Sequence, residues 1–148
     1  RLKAAGCRRF CWLAGKPDTS IIPQLAAGMA RAGVTVEESA IRYSDYTEAD
    51  GERLAAELLQ DGSFDALVAT APQLARGAAR YVETHRLPVR VGCFDGQKST
   101  RLSTDHFIAV QTNDFEIGIK AIEKLLSLIE GDKSTIQIKV PVDFMDPA

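Results

Sequence analysis

The chain is poor in the residues that most chemistry depends on: 148 residues hold two histidines, three cysteines and one tryptophan. His85 falls at a polar helix end and His106 in a polar loop, and neither has the neighbours of a metal site or a catalytic triad. Both read as surface residues. Cys7, Cys11 and Cys93 are an odd number without metal-ligand spacing. Cys11 and Cys93 sit inside apolar runs, where cysteine acts as a small hydrophobe, so a reducing, cytoplasmic setting is expected. Lysine and arginine are scattered and the net charge is −2, so no nucleic-acid surface is expected in this segment. No apolar stretch reaches the length of a membrane span. Glycine-rich phosphate loops, GxGxxG and GxSxG are all missing. A non-catalytic protein without cofactor or metal is therefore the reading.

What is there is alternation. Phe10-Cys11-Trp12-Leu13-Ala14, Ala40-Ile41-Arg42-Tyr43, Ala66-Leu67-Val68-Ala69-Thr70 and Val89-Arg90-Val91-Gly92-Cys93-Phe94 are short runs of buried-strand character. Between them lie helical patterns. Pro23 starts one that runs through Leu25, Ala26 and Met29 to Gly33. Thr47-Glu48-Ala49-Asp50 resembles a capping box ahead of Leu54, Ala55, Leu58 and Leu59. Leu74, Ala78 and Val82 recur every four residues. Strands alternating with helices predict a doubly wound α/β fold, a parallel sheet covered on both faces. After Asp95 a polar stretch leads to a short strand at Phe107-Ile108-Ala109-Val110. Ile117, Ala121, Ile122, Leu125, Leu126 and Ile129 then mark the most amphipathic helix, and Ile136 to Val140 alternates like a half-exposed strand.

Polar and aromatic residues follow the strands: Lys16 and Asp18 the first, Asp45 and Tyr46 the second, Thr70 the third, Asp95 the fourth. In a doubly wound sheet these ends share one edge, where ligands bind. A ring beside carboxylates suits a polyol or sugar. Taken singly, Asp18 and Asp45 read as helix caps, Asp95 as a turn opener and Tyr46 as a residue packed on the sheet edge. Only as a set do they read as a ligand site.

Five segments, in order and spacing, resemble the effector-binding domain of LacI/GalR-family bacterial transcription regulators: "AAGCRRFCWLAG", "YSDYTEADGERLAAELL", "FDALVATAPQLARGAARYV", "VGCFDG" and "FIAVQTNDFEIGIKAIEKLLSLIEG". The resemblance covers nearly the whole chain. It implies the periplasmic-binding-protein-like type I fold, mainly one subdomain of a two-subdomain molecule. Residues 1–112 would form most of the C-terminal subdomain, 113–138 would cross to the N-terminal one and 139–148 would return. It implies a small-molecule effector (a sugar, sugar phosphate or similar) contacted by Asp95 and Tyr46. It also implies a homodimer that meets operator DNA only through a helix-turn-helix headpiece not contained in these residues.

Ala71-Pro72 stands where the family commonly has Asn-Asp, and Gln24-Leu25 is the nearest match to its Arg-Leu-x-Gly-Phe. Polar duties would pass to Lys16, Thr70, Gln73 or Gln111. The chain begins on Arg1, as expected of a piece of something longer. The alternative is a solute-binding protein of a transport system with the same fold. A flavodoxin-like enzyme ranks below both, because "AGKPDTS" has one glycine and a proline that removes a backbone donor. With no sheet from its own fold to cover it, the helix at Ile117–Ile129 is expected either to pack elsewhere on its own subdomain or, preferably, to build a dimer.

Overall fold

The computed structural model describes residues 1–17, 21–94, 107–134 and 137–145. Five strands run parallel: β1 (Phe10–Ala14), β2 (Ile41–Tyr43), β3 (Ala66–Ala69), β4 (Arg90–Cys93) and β5 (Phe107–Thr112). A sixth, β6 (Val142–Met145), pairs antiparallel with β5, and the order across the sheet is β2-β1-β3-β4-β5-β6. Four helices connect them: α1 (Ile21–Arg31), α2 (Glu48–Leu59), α3 (Pro72–Thr84) and α4 (Asp114–Ile129).

Strand alternation sorts the core into two layers. Cys11, Leu13, Leu67, Ala69, Val91 and Phe107 face Leu54 and Leu58 of α2 and Leu74, Ala78 and Val82 of α3. Phe10, Trp12, Ala14, Ala66 and Val68 face the other way, toward Ile22 of α1, Cys7 and Val34. The continuous apolar runs follow from this, since β1 and β3 are buried on both faces. The doubly wound sheet expected from the sequence is the fold that forms.

Local chemistry sets the helix ends. The Thr47 hydroxyl oxygen accepts from the Asp50 N–H at 3.0 Å and caps α2. Pro72 opens α3, where a missing N–H costs nothing. α2 and α3 cross at two glycines: a methyl on Gly77 would meet the Glu48 carbonyl, and one on Gly51 the Leu74 carbonyl. Above that crossing, Glu48 accepts from Arg76 Nε at 2.6 Å and Arg80 Nη2 at 3.0 Å. The chain enters β1 on a fixed line because the Asp65 carboxylate accepts from the Arg8 and Arg9 N–H groups at 3.0 and 2.9 Å.

Two expectations change. The final strand is Val142–Met145, and Gln137–Val140 is not in a strand. Alternation marks which residues can pair, but the exposed edge of β5 decides which do, and it takes Val142 opposite Thr112. Ile138, Val140 and Pro141 instead line a loosely filled gap of about 580 Å³ with Ile117, Ala121 and Leu125 of α4. Of the two outcomes expected for α4, packing of its apolar stripe elsewhere on its own subdomain does not occur. None of its residues is buried, and Ile117, Leu125 and Ile129 are 44%, 52% and 74% exposed.

Candidate functional site

Parallel strands put their carboxyl ends on one edge, and the connections leaving them decide where that edge opens. β1 feeds α1 on one face of the sheet, whereas its neighbour β3 feeds α3 on the other. The two connections part at the β1–β3 junction, the position at which open α/β sheets form a ligand crevice. Lys16, Tyr46 and Thr70 follow β1, β2 and β3, so all three fall on the carboxyl edge of the sheet.

Tyr46 is held tightly. Its backbone is in the left-handed region at φ 67°, uncommon for a bulky residue. Its N–H donates to Ser44 Oγ at 3.2 Å, and the Ser44 hydroxyl donates to the Ala14 carbonyl at 3.3 Å, tying the end of β2 to that of β1. The ring then lies on Gly15, where a methyl group would coincide with the phenol. Tyr46 is packed partly into the α2–α3 core layer. Lys16 Nζ pairs with Asp45 Oδ1 at 3.7 Å, and both side chains are well exposed, so this pair gives local charge and little stability. Thr70 donates its N–H to the Leu13 carbonyl at 3.0 Å, which anchors its backbone to β1. Its side chain is buried, and Oγ1 has no partner.

The remaining predicted residues lie apart or outside the described residues. Gln111 is half-buried near the end of β5, two strands from β3, opposite Asp143. Gln24 is an exposed residue of α1 that lines a cavity of about 710 Å³ on the sheet face, with Leu25, Met29, Val68, Phe94 and Phe144. That cavity is mainly apolar, with Arg1, Lys3 and Gln24 as its polar lining, whereas the predicted polar set follows the strand ends. Asp18 and Asp95 lie outside the described residues.

Sequence reasoning passed over Gly15, Ser44 and Trp12. Gly15 and Ser44 show their roles only through contacts across strands. Trp12 carried a signal, because a buried indole N–H usually needs a partner. The three cysteines are buried thiols, with burial pushing the Cys11 thiol up to about 12. They are inert packing rather than nucleophiles. His85 is exposed, with Nδ1 2.9 Å from the Tyr81 carbonyl.

Against known proteins the match is consistent along the chain. The transcriptional regulator MalR of Streptococcus pneumoniae is 26% identical over 139 residues, 90% of this chain and 42% of MalR. Over most of its length the chain is thus similar to a helix-turn-helix-type transcriptional regulator. Its fold matches a sugar-binding LacI-family regulator from Escherichia coli, solved with phosphate, at TM-score 0.77 and 24% identity. That match covers 97% of this chain and 55% of the other. The CelR–cellobiose complex matches at TM-score 0.78 and 22% identity, over 98% of this chain and 47% of CelR. No protein-family model matches. The chain thus spans less than half the length of the curated relatives it resembles.

Proposed function

We propose that this chain is the ligand-sensing part of a bacterial transcription regulator. It takes a small effector of the sugar class at the β1–β3 crevice. What supports this reading is the edge itself: Lys16, Tyr46 and Thr70 follow neighbouring strands where the connections of β1 and β3 part, in a chain whose curated relatives are regulators. Asp95 is the carboxylate for the effector hydroxyls, and Asp18, Gln24 and Gln111 are further polar contacts. The work is binding and conformational change rather than catalysis.

The whole regulator acts in the cytoplasm as a homodimer and reaches operator DNA through a helix-turn-helix outside these 148 residues. Relatives named as regulators favour this over the transport alternative, and among the described residues no helix is long and apolar enough to cross a membrane. Calorimetry with a panel of neutral sugars tests the reading. Saturable binding that is weakened by Tyr46→Ala and by Asp95→Ala is expected. Heat traces identical for wild type and both variants, or tight salt-sensitive binding of the chain itself to duplex DNA, would overturn it.

A further inference from the structure

Trp12 and Thr70 lie on the same face of the sheet, one pleat apart. Trp12 of β1 stands opposite Val68 of β3, and Thr70, the residue just past β3, comes next on that face by the two-residue alternation of extended chain. Both are nearly inaccessible, at 2% and 9% exposure. Among the described residues, Trp12 Nε1 and Thr70 Oγ1 are the buried side-chain polar atoms without a hydrogen-bond partner. Folded proteins pair nearly all such atoms, and an exception calls for an explanation. Here two exceptions occur side by side at the carboxyl edge, one on β1 and one just past the end of β3. Neighbouring strands run about 4.8 Å apart and two residues advance about 6.6 Å, so one oxygen seated between them is within reach of both groups.

We propose that Trp12 Nε1–H and Thr70 Oγ1–H form a two-donor subsite that takes one uncharged oxygen of the effector, a hydroxyl or ring oxygen of a neutral saccharide. This rests on the sensor reading above and narrows it to neutral sugars over sugar phosphates. An indole N–H can only donate, so the ligand atom is an acceptor. Neither group is charged, and an ionised phosphate buried there would need a paired cation. Lys16, at the same edge, is well exposed and already pairs with Asp45. The subsite opens to ligand as the crevice does, because both atoms are covered in the present conformation.

Trp12 is the only tryptophan of the chain, so its emission reports on this N–H without labelling. Glucose, cellobiose and glucose 6-phosphate are titrated into the 148-residue chain by fluorescence and by calorimetry, beside Thr70→Val. A neutral sugar is expected to shift the emission to the red with saturation. Thr70→Val is expected to weaken that sugar about tenfold while its melting temperature holds or rises, since the hydroxyl bonds nothing without ligand. Sugar binding seen by calorimetry with unmoved emission and an unaffected Thr70→Val overturns the subsite and leaves the sensor reading standing. Binding of glucose 6-phosphate alone overturns the neutral class. A melting temperature lowered by Thr70→Val shows that the hydroxyl has a protein partner, and overturns the proposal without any ligand. Absence of calorimetric binding for all three probes counts against both readings.

Discussion

The Tyr46 ring fills the space that a side chain on Gly15 would need. These two residues follow different strands, Gly15 after β1 and Tyr46 after β2. Gly15→Ala is therefore expected to displace the ring and to destabilise the fold by roughly 1–3 kcal/mol, the usual range for overpacking. Gly15→Ala with Tyr46→Ala should recover part of that loss in urea denaturation. If Gly15→Ala alone leaves the midpoint unchanged, the ring does not sit there.

The α2–α3 crossing gives a paired test. At Gly77 a methyl would meet the Glu48 carbonyl and the Glu52 nitrogen, and backbone cannot swing aside. Gly77→Ala should cost roughly 1–3 kcal/mol despite alanine's better helix propensity. Gly118 of α4 has nothing within 4 Å of such a methyl. Gly118→Ala should therefore stabilise by up to about 1 kcal/mol. Opposite signs for the two variants in one denaturation series are the expected outcome.

Acid should loosen the same crossing. The hydrogen bond from Arg76 leads the effects holding the Glu48 carboxyl below its ordinary range, with further lowering from the charges of Arg76 and Arg80. A carboxylate whose folded pKa is depressed stabilises above its unfolded value, near 4.3, and loses that contribution as pH falls through the folded one. Glu48→Gln should thus lower the melting temperature at pH 7 and flatten its decline between pH 5 and pH 3. Parallel curves for wild type and variant would show that Glu48 gains nothing from the two arginines.

Exposed Ile122, Leu126 and Ile129 make α4 the stickiest surface of the isolated chain. The chain is expected to self-associate with rising concentration in analytical ultracentrifugation. Ile122→Glu with Leu126→Glu should return it to monomer with an unchanged far-ultraviolet circular dichroism spectrum, because α4 buries none of its residues within the chain. A wild-type chain that stays monomeric at high concentration would contradict this.

The amino-acid sequence by itself determined the fold class, because that signal is local and repeated. A strand buried on both faces must be apolar throughout, as Phe10–Ala14 and Ala66–Ala69 are. A helix on a sheet must carry one apolar stripe, as Leu54, Ala55 and Leu58 do. Strand ends could be read as well, so Lys16, Tyr46 and Thr70 were legible as edge residues. Asp18 and Asp95, named on the same ground, lie outside the described residues.

Only the tertiary structure decided what depends on partners distant in sequence. That β6 begins at Val142 follows from the free edge of β5, which no local pattern encodes. That Tyr46 lies on Gly15 follows from β2 pairing with β1 in one register. That Trp12 and Thr70 stand as unpaired neighbours follows from β3 lying beside β1, although the two residues are 58 positions apart in the sequence. Burial and hydrogen bonding are properties of pairs, and pairs are made by folding.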